Sequence, residues 1–405
     1  MLSERIARLS DRVRNTQPTL DLDRARLFTE FYSQPSMENY IIKRAKAFKN
    51  YLENMELFID DDEQMAGHQG SRIQSVILYP EVTKWLYDDF ETLDKRPNDN
   101  LAFRSEEDRQ ELKKIVEIWK DHTFGDFTDS LLDDDLKDMI KTGVLTHGIS
   151  NQSTMNHSPD YDNFIKRGYR YYIDECKAKL EKLEIKDVYD MEQKLAWEAM
   201  IIGMEAVISL AHRYADLAEE KAGQCKDAKS REELLTMAEN CRVVPENPPQ
   251  TFLQATQMVW FHHLSLTLEV AGGDHNLGRY DQYMYPFYEK EAAEGRSEEY
   301  FADIIHELKL KVMEMWNIRC YRESVADPGC PLWMHIILGG VKENGQDACN
   351  ELTRVFLRCL LDLQTDEPCI SFRYHRNVDE ETFRLAIKAA RDTGGHPAFY
   401  NDDTA

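Results

Sequence analysis

The sequence predicts an α/β fold in which a long helical region precedes a parallel β-sheet. The first observation is a series of amphipathic helical patterns that fills most of residues 1–245. The second is an alternation of short apolar strands and helices toward the end of the chain. The third is the proline-rich break PENPPQ at 245–250. We therefore expect a helical region over 1–245 and the start of a β-containing region over 246–405.

The helical region is expected to contain long amphipathic helices. Apolar residues at helical spacing predict helices over 19–34, 36–54, 106–123, 128–142, 160–183 and 188–222. Thr19 and Ser36 are the expected N-caps of the first two. Segment 52–81 interrupts the helical pattern with glycines and a proline, so short extended pieces are expected there. The small, polar segment 143–159 is expected to be a loop that displays functional groups.

The segment 278–291, GRYDQYMYPFYEKE, is the centre around which we expect the chain to be organised. It follows an apolar run over 252–270 and a glycine-rich break, and it is dense in aromatic residues. Aromatic side chains gain most from burial, so this segment is predicted to be packed rather than solvated. Arg279 and Asp281 would then need each other or other polar partners.

Strands and helices alternate after this centre. The expected helices are 298–318, 347–363 and 379–393, and the expected strands are 332–338, 369–374 and 397–400. Such alternation with short connections is typical of a parallel sheet. Because almost nothing follows the last strand, the sheet looks unfinished.

Composition and charge exclude several classes of protein. The net charge of -24 argues against a nucleic-acid partner and against an anionic membrane surface. No apolar run approaches the length of a membrane span, and the charged, amphipathic start of the chain lacks the apolar core of a signal peptide. We expect a cytoplasmic protein.

The cysteines and histidines give no metal motif. The 8 cysteines include no CxxC pair and are interpreted as reduced thiols, mostly buried. His262, His263, His275 and His335 do not follow a zinc-binding pattern, so they are interpreted as satisfied histidines rather than as a zinc site assembled across the fold. The glycines near residue 272 do not form a dinucleotide fingerprint. We predict that this chain binds no metal and no cofactor.

Three polar residues are candidates for a cleft: His157, Asp160 and Asp274. Each could hold a substrate hydroxyl or amine by hydrogen bonds, and the alternative is that each is a solvated loop residue. The surrounding AGGDHNLG suits a close approach of the backbone to a ligand, and equally a sharp turn beside packed aromatics. No complete catalytic device is recognisable from spacing.

Five segments together resemble the glycyl-radical enzymes of the pyruvate formate-lyase superfamily. They are AFKNYLENMELFIDDDEQMAGHQGS with LYPE (47–81), NHSPDYDNFIKRGY (156–169), EVAGGDHNLGRYDQYMYPFYEKE (269–291), IILGGVKENGQDACNEL (336–352) and GGHPAFYNDD (394–403). The resemblance is closer to the branch of diol dehydratases, hydroxyproline dehydratase and related lyases than to pyruvate formate-lyase itself.

This resemblance implies a fold and a chemistry. The fold is a barrel of two five-stranded parallel half-sheets wrapped by helices, of which this chain would supply a helix-rich region and an incomplete half. The parent enzyme would store a radical on a glycine, pass it to a cysteine, and use a glutamate base to eliminate a group from a small polar substrate. Its partners would be an activase that uses S-adenosylmethionine and a second copy of the full-length enzyme.

The resemblance stops before the catalytic loops. In the family, the cysteine and glycine loops follow the PAFYND-like strand, and this chain ends at Ala405 before both. No catalytic residue is therefore assigned. We expect the N-terminal portion of a longer enzyme, inactive on its own. The alternative is a naturally truncated paralogue that binds a small molecule or a full-length subunit, but the closing NDDTA does little to cover an open sheet edge.

Part of the substrate pocket can be carried over from the resemblance. His157 matches the family's pocket histidine, although Asn156 stands where the family has glycine. Asp274 matches the position of a polar substrate ligand, and Trp333 matches an aromatic wall. We expect Asp274 to accept a hydrogen bond from the substrate and Trp333 to narrow the pocket.

Overall fold

A computed structural model describes residues 2–145, 158–270, 275–326 and 334–404. The helices before residue 245 are α1 (Glu4–Asn15), α2 (Asp23–Ser33), α3 (Tyr40–Asn54), α4 (Trp85–Asp88), α5 (Glu106–Trp119), α6 (Phe124–Ser130), α7 (Asp134–Lys141), α8 (Tyr161–Lys182), α9 (Val188–Gln224) and α10 (Ala228–Val243). Two short strands, β1 (Thr19–Asp21) and β2 (Ser75–Ile77), pair in parallel. Helices thus make up most of the described residues before 245, with short extended pieces among them.

Two predicted N-caps are wrong. Thr19 begins β1 because residues 19–21 pair with β2, and this tertiary pairing overrides the local helical pattern. The hydroxyl of Ser36 accepts from the backbone of Glu38 in a turn of its own. Asn39 is the N-cap of α3, and its side chain accepts from the amide of Ile41 at 2.9 Å.

The second region contains α11 (Phe252–Glu269), α12 (Tyr280–Tyr283), α13 (Tyr285–Ala293), α14 (Glu298–Met313), α15 (Tyr321–Ala326), α16 (Glu351–Asp362) and α17 (Glu380–Asp392). Its strands are β3 (His335–Gly339), β4 (Cys369–Tyr374) and β5 (Ala398–Asn401). The strands are parallel and lie in the order β3-β4-β5. A single bridge from Gly278 to Ile336 continues the sheet beyond β3. The predicted strand–helix alternation and parallel sheet are confirmed.

Helix α11 is the central helix of the fold. Nearly all of its residues are buried, and it has no charged residue before Glu269. A helix that is apolar on all sides belongs inside a protein. Its side chains join one core with residues from α3, α8, α9, α14, α16 and the β3-β4 pair. This core crosses residue 245, so the two predicted regions share it.

Helix α8 contains a sharp kink at Gly168, where φ is 71°. A Cβ atom at this position would lie 2.5 Å from the carbonyl oxygen of Glu246, a distance that no side chain tolerates. The amides of Tyr169 and Arg170 donate to the carbonyls of Pro245 and Glu246, each at 2.9 Å. The kink therefore fastens the proline-rich segment to α8, and only glycine permits it.

Helix α9 has the length and composition of a membrane span, so the expectation that no apolar run approaches that length is wrong. A single such helix is weak evidence, because the core helices of soluble proteins pass the same test. Here α9 packs against α3, α8 and α10.

Candidate functional site

The three predicted pocket residues, His157, Asp274 and Trp333, lie outside the described residues, so their side chains stay predictions. Their described neighbours in the chain converge on one point. Tyr161, His275 and Met334 all contact His263, which lies on the central helix α11. Three segments that are far apart in sequence therefore meet at one buried imidazole.

His263 makes a polar contact with each of its two ring nitrogens. Nδ1 lies 3.1 Å from the hydroxyl of Tyr161, and Nε2 lies 2.9 Å from Sδ of Met334. The imidazole also meets the His275 ring edge to face, with 6.4 Å between the centroids. Because a thioether sulfur can only accept, the proton belongs on Nε2, and Nδ1 accepts from Tyr161.

Both neighbouring histidines of α11 are neutral. Burial lowers the pKa of His263 well below its ordinary value, and the adjacent His275 and His262 lower it further. Burial also lowers the pKa of His262 to about 4. The sequence interpretation of these residues as satisfied histidines agrees with these contacts.

Aromatic residues form a wall beside His263. Tyr161 stacks on Tyr283 with 5.7 Å between the centroids, and the Tyr283 hydroxyl donates to the carbonyl of Leu277 at 2.7 Å. Phe164 packs on His262 from the other side, at 4.4 Å. The aromatic residues of segment 278–291 are thus packed, as predicted from their composition.

The chain segments that follow Asp274 and Trp333 run side by side in the sheet. The amide of Leu277 donates to the carbonyl of His335, and the amide of Ile337 donates to that of Gly278, both at 2.8 Å. The side chain of Asn276 accepts from the amide of His335 at 3.1 Å. Both segments therefore enter the sheet at the amino ends of neighbouring parallel strands.

Arg24 fixes the end of α11, from which the chain leads toward Asp274. This fully buried guanidinium donates to the carbonyls of Leu268 and Glu269, each at 2.9 Å. It also pairs with Glu81 at 2.7 Å and lies 4.0 Å from the ring centroids of Phe28 and Tyr79. The final turn of α11 is therefore held by charge and by aromatic packing.

The opposite, carboxyl end of β3 is held by Arg279 and Asp281. Arg279 donates to the carbonyl of Gly339 at 2.8 Å, and Asp281 accepts from the amide of Gly339 at 2.8 Å and from the hydroxyl of Thr353 at 2.6 Å. Burial raises the pKa of Asp281. Arg279 and Asp281 thus each have partners other than one another. They join segment 278–282 to Gly339 at the end of β3 and to Thr353 in the first turn of α16.

An apolar groove of about 580 Å³ lies behind the aromatic wall, between α3, α8, α9 and α11. Phe164 and Tyr169, which line it, both contact His262. The two charged residues at its rim, Arg44 and Glu269, pair with each other at 2.7 Å. The charged groups at its rim are therefore already paired, and the rest of its lining is mainly apolar, as in a groove between packed helices.

A buried charge cluster was missed in the sequence. His68 lies 2.9 Å from Glu63 and 3.0 Å from Glu314, and Lys311 donates to Glu63 at 2.6 Å. Three of these groups could ligate a metal, but the Lys311 ammonium lies 3.1 Å from Nε2 of His68 and already supplies a positive charge. The available signal was the charged pair Lys309 and Lys311 within an otherwise apolar stretch of α14.

Comparison with known proteins decides the family. The model of the pyruvate formate lyase-like (PFL-like) family matches residues 2–405. The chain belongs to this family.

The relatives of this PFL-like chain are dehydratases and lyases. It is 30% identical to isethionate sulfite-lyase of Nitratidesulfovibrio vulgaris, over 99% of this chain and 50% of the relative. The structure of glycerol-bound B12-independent glycerol dehydratase from Clostridium butyricum matches with a TM-score of 0.95 and 29% identity, over 100% of this chain and 51% of that one. Hydroxyproline dehydratase from Clostridioides difficile matches with a TM-score of 0.94 and 27% identity, over 100% of this chain and 52% of that one.

These matches confirm the predicted family and fold class. The solved structures are glycyl radical enzymes, and members of the predicted branch, a 1,2-propanediol-dehydrating enzyme and hydroxyproline dehydratase, are among them. The chain spans about half the length of the curated relatives it matches.

Proposed function

We propose that the PFL-like chain is the N-terminal portion of a glycyl-radical enzyme that cleaves a C–O, C–N or related bond of a small polar substrate. The observation that carries the proposal is the convergence of three segments on His263, since each segment bears one residue of the expected pocket. The catalytic cysteine, the base and the radical glycine would lie outside these 405 residues.

The residues of this chain would bind and orient the substrate. His157 and Asp274 would hydrogen-bond a hydroxyl or ammonium group, and Trp333 would form a wall. The neutral imidazole of His263 supports the three segments from behind, because its two nitrogens are engaged by Tyr161 and Met334. A buried neutral group is suited to this role, since no charge has to be desolvated.

The remaining features that we propose for the parent enzyme rest on the family resemblance. Its cofactor would be a glycyl radical installed by an activase that uses S-adenosylmethionine, and this chain would bind none itself. The full-length enzyme would be a cytoplasmic homodimer. The division into a helical region over 1–245 and a barrel region over 246–405 is proposed on the same basis.

The decisive experiment is the intact mass of the protein purified from its native organism without oxygen. A mass well above 47.4 kDa, with a glycyl-radical signal in electron paramagnetic resonance after activation, is the expected result. A mass of 47.4 kDa without the signal would contradict the proposal. It would favour the second candidate, a truncated paralogue that binds a small molecule or a full-length subunit.

The pocket is tested in the activated native enzyme with a panel of substrates taken from its relatives: glycerol, 1,2-propanediol, trans-4-hydroxyproline and isethionate. Asp274→Ala should lower kcat/KM for the best substrate by roughly tenfold to a hundredfold, as expected for the loss of one hydrogen bond to a polar substrate. Asp160, the third candidate for the cleft, is the N-cap of α8, and its carboxylate accepts from the amide of Asn163 at 3.3 Å. Asp160→Ala is therefore the control and should change kcat/KM little. Equal losses in both variants would contradict the assignment of Asp274.

Trp333→Ala should enlarge the pocket. The variant should turn over a bulkier diol relative to glycerol more readily than the native enzyme does. If the preference between the bulkier diol and glycerol is unchanged and circular dichroism shows normal folding, Trp333 does not form the pocket wall.

A further inference from the structure

Apolar side chains are exposed in succession along α6, α7 and the turn that follows. We call the α6–α7 surface the group formed by Phe127, Leu131, Leu136, Met139, Val144 and Leu145, all of which are exposed. Helix α7 buries none of its residues, although Leu136, Met139 and Ile140 follow the spacing of a core-facing stripe. The helix therefore has an apolar face that contacts no core within the described part of the chain.

The α6 side of this surface is firmly held. The amides of Phe124 and Gly125 donate to the carbonyls of Glu81 and Val82, each at 3.1 Å, and Lys84 pairs with Asp129 at 2.6 Å. An eight-residue helix such as α7 is marginal in water by itself, so a covering partner would stabilise it. Clustered apolar exposure of this kind marks an interaction site, whereas scattered exposed residues do not.

The surface extends toward α15. A Cβ atom at Gly143 would lie 2.8 Å from the guanidinium of Arg322 on α15, so the end of α7 reaches α15. Tyr321 and Val325 on α15 are exposed as well and continue the apolar character.

The rim of the surface is acidic. Asp133 is the N-cap of α7, and Asp134, Asp135 and Asp138 follow, all exposed; Lys137 and Lys141 on the same helix offset only part of this negative charge. An occupant would therefore present an apolar patch flanked by lysine or arginine.

We propose that the α6–α7 surface is the docking surface for the polypeptide that corresponds to the second half of the relatives. This inference rests on the proposed function. The matched structures are about twice as long as this chain, so an equal length of polypeptide must pack somewhere against the shared half. The α6–α7 surface has the apolar exposure for such packing, and its α6 side is already held in place by the contacts with Glu81, Val82 and Lys84.

Methionine oxidation by hydroxyl radicals tests the proposal, because the rate follows side-chain exposure. Met139, which is 45% exposed in this chain, is the probe. Met37, which is 103% exposed on the turn between α2 and α3, is the matched control. Both are followed by mass spectrometry in recombinant residues 1–405 and in the protein purified from its native organism, whose intact mass is measured on the same sample.

The expected result is a native mass well above 47.4 kDa, with Met139 oxidised at least about tenfold more slowly than in residues 1–405 and Met37 unchanged. A larger native protein in which Met139 reacts as fast as in residues 1–405 overturns the docking surface and leaves the proposed function standing. A mass of 47.4 kDa overturns the proposed function and this inference with it. Protection of Met139 at that mass would identify the occupant as another molecule, such as a second copy.

Discussion

At the scale of single residues, the buried charge cluster makes the stability depend on pH through His68. Burial alone would lower the pKa of His68, but attraction to Glu63 and Glu314 outweighs it and raises the pKa to about 9. The unfolded value is near 6.5. The stabilisation is therefore complete below pH 6.5 and is lost as the pH rises toward 9.

This gives a prediction for urea unfolding. Between pH 6.5 and 9.5 the free energy of unfolding should change by up to roughly 3 kcal/mol more unfavourably in the native protein than in His68→Gln, at about 1.4 kcal/mol per pKa unit. The comparison isolates His68, because glutamine does not titrate and the other titrating groups, such as Lys309, are common to both proteins. Parallel pH profiles for the two proteins would show that His68 is not the responsible group.

Two buried lysines on α14 form a natural pair for testing charge burial. Lys311 neutralises Glu63. Burial by itself would raise the pKa of Glu63, but the charges of His68 and then of Lys311 hold it well below its usual range. Lys309 instead donates to the carbonyls of Cys359 and Leu363, and burial lowers its pKa to about 8. Removing Lys311 takes a positive charge away from a buried carboxylate. Removing Lys309 only takes a hydrogen-bond donor away from two uncharged carbonyls.

Lys311→Met should therefore cost about 3–5 kcal/mol of unfolding free energy, and Lys309→Met roughly 1–2 kcal/mol. Denaturant titrations at pH 7 provide both values. If the two substitutions cost the same, the Glu63 carboxylate does not depend on Lys311.

At the scale of elements, the kink in α8 makes a sharp prediction about glycine. Gly168→Ala should destabilise the protein by at least about 2 kcal/mol, because φ is positive and a Cβ would meet the Glu246 carbonyl. The control is Gly203→Ala in the middle of α9, where nothing lies within 4 Å. That change should stabilise by about 0.5–1 kcal/mol. Thermal unfolding should show a lower melting temperature for Gly168→Ala and a higher one for Gly203→Ala. Melting temperatures that shift in the same direction would contradict this account.

The elements also show how far sequence reasoning reaches. Long helices such as α9 and α16 follow from spacing alone, because their apolar stripes face one core. The pairing of residues 19–21 with 75–77 does not, since a three-residue strand carries almost no pattern and its partner lies far along the chain. For the same reason, the site was only partly predictable: the aromatic density of 278–291 was visible, but the meeting of Tyr161, His275 and Met334 at His263 depends on the fold.

At the scale of the whole molecule, the outer edge of β5 should govern self-association of the recombinant chain. All four β5 side chains are exposed, and Tyr400 is among them. Unpaired strand edges promote pairing between molecules, and a lysine at such an edge opposes it. Tyr400→Lys should weaken association roughly fivefold, which corresponds to about 1 kcal/mol.

Light scattering at increasing concentration measures this association. Tyr171→Lys, at an exposed tyrosine on α8, is the matched control and should leave it unchanged. If both substitutions act alike, then net charge rather than the strand edge controls association.

The order of the strands has a consequence for biosynthesis. Along the sheet, Gly278, β3, β4 and β5 follow one another in space as they do in sequence, each beginning some tens of residues after the last. Because a ribosome releases the amino-terminal part first, every strand emerges to find its neighbour already in place. The central helix also precedes every strand of this three-stranded sheet in the chain, so it would be available as a surface on which those strands pack. Such a fold can be assembled vectorially, one strand at a time, without waiting for a distant partner.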